Sequence, residues 1–169
     1  FIPIEWPEFD FKKYDNNVSY DELTFEILSL FVGNDISKSD LSSIVENSYR
    51  HAFTSQDYVT YQNINQSIIV ELFNGPTLAF KDFAMQLLIP LFDHFLANEN
   101  RKVNLLVATS GDTGSAAINA VSKSKHVNIF CLFPKNRISE FQRKQMSTVG
   151  KENITLCEID GTFDDCQNI

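Results

Sequence analysis

The sequence has no long apolar run, little positive charge and few cysteines, and each shortage excludes a class of protein. No hydrophobic stretch approaches the roughly 20 residues that span a bilayer, so we expect no membrane partner. Against 22 acidic residues stand 14 basic ones, and the net charge of -8 argues against a nucleic-acid partner. The three cysteines show no paired or metal-binding spacing, so we predict a reduced, cytoplasmic protein in which they only pack: Cys131, Cys157 and Cys166.

Several familiar ligand-binding and targeting patterns are also missing. There is no P-loop and no GxGxxG motif. The three histidines lack metal or triad spacing, so we predict no metal site: His51, His94 and His126. The start at Phe1 shows no initiator methionine, basic segment or A-x-A cleavage site, so we expect no signal peptide. Together with the abrupt end at Ile169, this start favours a piece cut from a longer protein.

Apolar strands alternate with helices after residue 66. The pattern predicts helices over about 80–98 and 113–124 and one that begins at Ser139, between four strands: 67–73, 102–109, 127–133 and 153–160. Strands that are apolar almost without interruption indicate a parallel sheet covered on both faces by helices. We therefore predict an α/β fold. Pro90 should kink or interrupt the first of these helices.

The first third of the chain has a different pattern. Ser19 and Ser37 are placed to begin two helices that end near Gly33 and Phe53. The Gln- and Asn-rich stretch 54–66 is expected to be a loop. We predict an N-terminal helical segment, residues 1–66, that packs on the start of an incomplete α/β core, residues 67–169.

Lys81 is the strongest candidate for chemistry, because it follows a Gly-Pro turn at the start of a predicted helix. A cation is unfavourable at the positive end of a helix dipole. Phe80 and Phe83 should also leave an ammonium poorly hydrated. Both features favour the neutral, nucleophilic amine that a Schiff base requires. Asp82 is expected on the polar side of the helix. The alternative is a solvated lysine at a helix edge.

A second candidate site follows the second predicted strand and consists of Thr109, Ser110, Gly111, Asp112 and Thr113. Glycine permits a tight turn, and the next helix presents unpaired N–H groups and its positive end. The pattern predicts an anion-binding loop at the carboxyl end of a strand, where open α/β sheets bind ligands. A turn that is merely capped by Ser110 or Asp112 is equally consistent with the spacing.

A third candidate lies at the carboxyl end of the next strand. Lys135 and Arg137 could contact a phosphate or a carboxylate there. A solvated basic turn is the alternative interpretation.

Two of these stretches, taken in order, resemble threonine synthase of the longer-chain branch found in bacteria and fungi. They are NGPTLAFKDF, residues 74–83, and ATSGDTGSAA, residues 108–117. WPEF at residues 6–9 and IDGTFDDCQ at residues 159–167 extend the resemblance over almost the whole chain. The resemblance implies a pyridoxal 5'-phosphate enzyme of fold type II, with a tryptophan-synthase-β-like core of which this chain is an N-terminal fragment.

The resemblance also implies roles for the candidate residues. Lys81 would hold the cofactor covalently and carry protons during catalysis. Asp112 would lie near the cofactor, and the loop from Thr109 to Thr113 would bind the substrate's α-carboxylate. The full-length enzyme would convert O-phospho-L-homoserine and water to L-threonine and phosphate. The family's loop for the cofactor phosphate lies later in the chain, so this piece alone is expected to be inactive.

Two alternatives remain open at the level of sequence. One is a threonine-synthase-like phospholyase, which releases 2-oxobutyrate instead of adding water. The other is a non-catalytic α/β module that binds a phosphorylated ligand at the Ser110 loop, with Lys81 as a simple charge contact. The sequence does not give the oligomeric state.

Overall fold

The computed structural model describes residues 2–14, 18–55 and 57–169. After a short 3-10 turn at Phe11–Lys13, the elements in chain order are α1 (Tyr20–Val32), α2 (Lys38–Arg50), β1 (Thr60–Ile64), β2 (Ser67–Glu71), α3 (Lys81–Asn98), β3 (Val103–Ala108), α4 (Asp112–Val121), β4 (Val127–Pro134), α5 (Glu140–Ser147), β5 (Ile154–Ile159) and α6 (Phe163–Gln167). Among the residues that the structure describes, no helix combines the length and apolar character that crossing a bilayer requires.

Strands β3, β4 and β5 form a parallel sheet in that order, and helices α4 and α5 make the crossovers. Val103 lies opposite Val127, and Ile129 lies opposite Ile154. Side chains that alternate along β3 and β4 pack with α3, α4 and α5 into one core, which includes Ile89, Ile118, Val121, Ile129, Cys131 and Met146. Since the strands run parallel, the loops after β3 and β4 emerge at the same edge of the sheet.

The first predicted strand, residues 67–73, is not part of the parallel sheet. β2 pairs antiparallel with β1 in a separate hairpin, with Thr60 opposite Glu71 and Ile64 opposite Ser67. Asn65 has a φ of 55° and forms the tight turn between the strands. The expectation of a loop over 54–66 was therefore wrong for residues 60–64. β1, which is close in sequence, supplies the hydrogen-bond partners of the β2 backbone. Closing the short turn between them costs less conformational entropy than pairing with a distant parallel strand.

Only one face of the parallel sheet is fully packed. Leu106 and Phe130 lie opposite each other in register, and they alternate with the core residues of their strands. Their side chains are 64% and 39% exposed. Within the described residues, α6 contacts β4 and β3 but does not cover this pair. Helices flank the parallel sheet as predicted, but within the described residues this pair remains exposed on one face.

The two N-terminal helices begin where the sequence predicts. The hydroxyl of Ser19 accepts a hydrogen bond from the N–H of Glu22, and the hydroxyl of Ser37 accepts one from the N–H of Asp40. α1 and α2 pack against α3 around a second core, which includes Leu41, Val45, Tyr49, Phe53 and Phe83. The hairpin of β1 and β2 spans residue 66, and the division of the chain there into a helical segment and an α/β core stays a prediction.

Helix α3 lies between the two cores. Phe83 and Leu91 pack into the N-terminal core, whereas Ile89 and Leu96 pack into the core of the sheet. Pro90 lies inside the helix without ending it. A third side of α3 is apolar but partly exposed, and it carries Leu88, Phe92 and Phe95.

Tyr49 joins the N-terminal helices to α3 and provides a test of this packing. Its hydroxyl donates a hydrogen bond of 3.0 Å to the carbonyl of Phe83. We expect Tyr49→Phe to destabilise this interface by about 0.5–1.5 kcal/mol and Tyr49→Ala by about 3–5 kcal/mol. Hydrogen exchange of peptides from α2 and α3 in the full-length protein measures the loss of stability at this interface. The exposed Tyr61→Phe should change nothing, and equal effects of the three variants would contradict the packing described here.

Candidate active site

The loop before α3 is built around the carboxylate of Asp82, which is fully buried. One carboxylate oxygen of Asp82 accepts hydrogen bonds from the N–H groups of Thr77 at 2.8 Å and Ala79 at 3.4 Å. The other oxygen accepts a bond of 2.8 Å from the hydroxyl of Thr77. A Cβ at Gly75 would lie 2.5 Å from the Asp82 side chain, so only glycine fits there. These contacts fix the loop that ends at Lys81.

The expectation that Asp82 lies on the polar side of the helix was wrong. Helical periodicity predicts that a carboxylate at this position faces solvent. In the structure the preceding loop folds back and supplies three hydrogen-bond donors to the Asp82 carboxylate, so it can be buried. Burial raises the pKa of Asp82 above its ordinary value, although the hydrogen bonds from Thr77 and Ala79 and the charge of Lys123 act in the opposite direction.

Lys81 is the first residue of α3, and it has an aromatic and an acidic neighbour. Its Nζ atom lies 4.3 Å from the centre of the Phe80 ring and 3.9 Å from an Asp112 carboxylate oxygen. The side chain is 27% exposed. Phe83, expected to flank the amine as well, packs against Tyr20, Tyr49 and Phe53 in the N-terminal core instead. The amine thus has one aromatic neighbour, and a carboxylate lies just beyond hydrogen-bonding distance.

The loop between β3 and α4 is tied together from beneath by Thr109. Its buried hydroxyl accepts hydrogen bonds from the N–H groups of Gly111 at 3.0 Å and Gly114 at 2.8 Å. Gly111 has a φ of 138°, a conformation that other residues rarely adopt. The hydroxyl of Thr109 thus shapes the loop as an acceptor, and its expected contact with a substrate stays a prediction.

The remaining residues of this loop face outward at the start of α4. Gly111 is the N-cap of the helix, and no side chain forms a capping hydrogen bond there. The alternative of a turn capped by Ser110 or Asp112 is therefore not what the structure shows. Ser110 and Asp112 are exposed, and Thr113 is half-buried. The N–H groups in the first turn of a helix have no partner within the helix and lie at its positive end. This end of α4 can bind an anion.

Gln142 is a site residue that sequence reasoning missed. Its carboxamide oxygen accepts hydrogen bonds from the N–H and hydroxyl of Ser139, and its nitrogen donates one of 2.6 Å to Asp112. The capping box that begins α5 was visible in the sequence, but nothing in the spacing showed that its glutamine reaches a loop 30 residues earlier. A second glutamine of α5, Gln145, donates a bond of 3.0 Å to the carbonyl of Thr77.

Lys135 and Arg137 lie in the exposed turn between β4 and α5. The parallel strands place this turn at the same edge of the sheet as the Ser110 loop. Neither side chain forms an ion pair within the described ranges. Hydrogen bonds from Thr162 hold the pKa of Asp165 below its ordinary value, and the charge of Arg137 lowers it further. The structure thus brings Lys81, Asp112 and Gln142 together but shows no contact from Lys135 or Arg137 to them.

Known threonine synthases are similar to this chain along its whole length. A family model described as Threonine synthase N terminus matches residues 1–49. The threonine synthase of Pseudomonas aeruginosa is 42% identical over 172 aligned positions, which cover all of this chain and 36% of that protein. The chain therefore spans about a third of the length of this relative.

Solved structures show the same likeness in three dimensions. The pyridoxal-phosphate-bound threonine synthase of Brucella melitensis matches with a TM-score of 0.89 at 38% identity, over 99% of this chain and 36% of that one. The threonine synthase of yeast matches with a TM-score of 0.86 at 37% identity, over 96% of this chain and 35% of that one. These likenesses confirm the predicted fold class.

The raised pKa of Asp82 predicts a pH-dependent stability. The folded state keeps a proton on this carboxyl at pH values where the unfolded chain has already lost it, so stability falls as pH rises from about 3.9 through the raised value. Asp82→Asn cannot ionise, and its side-chain oxygen can still accept the Thr77 N–H. We therefore expect wild type to lose stability relative to Asp82→Asn as pH increases.

Urea midpoints of both full-length proteins between about pH 4 and pH 7 measure this difference. Asp82→Ala serves as the control, because it leaves the Thr77 N–H without its acceptor and should be destabilised throughout the range. A difference between wild type and Asp82→Asn that stays constant with pH would contradict the assignment.

Proposed function

Since the chain belongs to the threonine synthase family, we propose that it supplies the lysine and the carboxylate-binding loop of a pyridoxal-phosphate enzyme. The full-length protein would convert O-phospho-L-homoserine and water to L-threonine and phosphate. The observation that carries the proposal is the position of Lys81, the first residue of α3, whose Nζ atom lies 3.9 Å from a carboxylate oxygen of Asp112 in the first turn of α4. A reactive amine thus adjoins a helix end that can bind an anion.

The residues around Lys81 fit a covalently held cofactor. Its Nζ atom has no direct hydrogen bond to a side chain in the described part of the protein, because the nearest carboxylate oxygen is 3.9 Å away. The amine is partly exposed and rests against the Phe80 ring, so it is accessible to an aldehyde. The chain fits the lysine end of the cofactor, and the resemblance implies that residues for its phosphate and ring nitrogen would lie later in the full-length protein.

Lys81 would have two tasks. Its Nζ atom would hold the cofactor, and in the free state the same amine would carry a proton between the α and β carbons of the substrate. The cofactor, when bound, supplies the electron sink that stabilises negative charge on the substrate. Asp82 and Thr77 would act through Lys81 by fixing the loop that delivers it.

The start of α4 would bind the substrate's α-carboxylate. Ser110 and Thr113 would provide the hydroxyl and N–H donors, and Gly111, whose own N–H donates to Thr109, would shape the turn that presents them. Asp112 would lie beside the cofactor. The carboxylate of Asp112 is turned to Gln142, which supports backbone donors rather than this acidic group as the contacts to an anionic substrate. We assign Lys135 and Arg137 to the substrate's phosphate, because their turn shares the sheet edge.

The same proposal places the protein in the cytoplasm, where reduced thiols persist. Cys131, Cys157 and Cys166 are unpaired in the structure. Neither alternative from the sequence has an observation of its own in its favour. The two experiments below separate them from the proposed function.

Covalent trapping tests the role of Lys81. Adding pyridoxal 5'-phosphate and then borohydride to the full-length protein should leave a reduced adduct on the peptide that contains Lys81, as measured by mass spectrometry. Lys81→Ala should lose this adduct, and the exposed Lys102→Ala should retain it. An unmodified Lys81 in the wild-type protein would favour the non-catalytic phosphate-binding module.

Product analysis tests the reaction. The full-length protein incubated with cofactor and O-phospho-L-homoserine should release threonine and phosphate in equal amounts, because water adds after phosphate leaves. Chromatography of the organic product distinguishes threonine from 2-oxobutyrate. Phosphate release accompanied by 2-oxobutyrate and no threonine would replace the proposed reaction with the phospholyase.

A further inference from the structure

We propose that Gln142 is a positioning residue that keeps the Asp112 carboxylate from pairing directly with Lys81, so that the lysine amine stays available for reaction. The inference rests on the proposed function of Lys81 and names the residue that regulates its reactivity. Two observations support it. Gln142 forms hydrogen bonds to both Ser139 and Asp112, and the Asp112 carboxylate lies 3.9 Å from the Nζ atom of Lys81.

The distance between Lys81 and Asp112 is at the outer limit for an ion pair and too long for a hydrogen-bonded one. Charge-assisted hydrogen bonds between ammonium and carboxylate groups are about 2.7–2.9 Å long. Here the Nζ atom of Lys81 is 3.9 Å from the nearer oxygen of Asp112. The Asp112 side chain is 53% exposed, so crowding does not keep it away. Its other oxygen is held by the Gln142 amide at 2.6 Å, and this bond accounts for the separation.

Gln142 can hold Asp112 because its own orientation is fixed. The carboxamide oxygen accepts hydrogen bonds from Ser139, 3.2 Å from its N–H nitrogen and 2.8 Å from its hydroxyl. With the oxygen engaged, the NH₂ group must face away from the cap and toward Asp112. The carboxamide also lies against the backbone of Gly111, where any Cβ would overlap it. The capping box of α5 thus anchors the group that restrains Asp112.

The effect of Gln142 can be separated from the general packing of α5. Gln145 ties the same helix to the carbonyl of Thr77, in the loop that leads to Lys81. Loss of Gln142 alone therefore leaves α5 attached to that loop. What changes is the freedom of Asp112, which can then move the short remaining distance and pair with Lys81. A direct ion pair stabilises the ammonium, which is not nucleophilic.

Acetylation of the cofactor-free, full-length protein tests the proposal. Acetic anhydride at neutral pH modifies only neutral amines, and mass spectrometry gives the rate at Lys81 relative to the exposed Lys102. We expect Gln142→Met, which keeps the volume but removes the NH₂ donor, to slow Lys81 acetylation about two- to fivefold, the range for an exposed ion pair of ordinary strength. Gln142→Ala should give the same result.

A double-mutant cycle separates this role from a merely structural one. In an Asp112→Asn background no carboxylate remains to pair with Lys81, so Gln142→Met should leave the rate unchanged. Ser139→Ala removes one of the two hydrogen bonds that orient the Gln142 carboxamide, so its rate should lie between those of wild type and Gln142→Met. Equal rates for wild type and Gln142→Met, or the same slowing in the Asp112→Asn background, would overturn the inference. Borohydride trapping on Lys81 reports separately on the proposed function, so the two can fail independently.

Discussion

The buried carboxylate of Asp82 organises the loop on which the candidate site depends. It accepts two N–H groups and one hydroxyl from the five-residue stretch before it, so the backbone closes into a compact turn. Gly75 is required because any side chain there would overlap this carboxylate. The cost of burying a charged group is visible in its raised pKa, and the hydrogen bonds offset part of that cost. The result is a rigid approach to Lys81.

Helix α5 provides the second constraint, because it contacts both loops of the site. Gln145 binds the carbonyl of Thr77 on one loop, and Gln142 binds the carboxylate of Asp112 on the other. The two glutamines are one helical turn apart, so they lie on the same face of the helix. A single element thereby contacts both the loop that leads to Lys81 and the turn that begins α4, which lie far apart in sequence. Sites held by secondary structure in this way are positioned more accurately than sites on unsupported loops.

Local signals predicted many elements well. The serine caps, the apolar strands of the parallel sheet and the capping box of α5 all lie where the pattern placed them. The errors share one cause, which is that a pattern gives the character of a segment but not the tertiary partner that decides whether it is buried. The strand at 67–71 has the composition of a core strand, yet it pairs in an exposed hairpin. Leu106 and Phe130 likewise have the composition of buried residues on a face that this chain leaves exposed.

The sequence by itself determined the α/β fold class, the family likeness and the identity of Lys81 as the reactive candidate. Those conclusions depend on periodicity, turn chemistry and motif, which are properties of contiguous residues. Only the tertiary structure decided that Asp82 is buried, that Thr109 shapes its loop and that Gln142 restrains Asp112. Each of these depends on a hydrogen bond whose partner is chosen by how the chain folds back, and for Gln142 that partner lies 30 residues away. The pairings of Asp82 and Thr109 are local in sequence but depend on how each loop closes, whereas the pairing of Gln142 depends on the packing of α5 beside the β3–α4 loop.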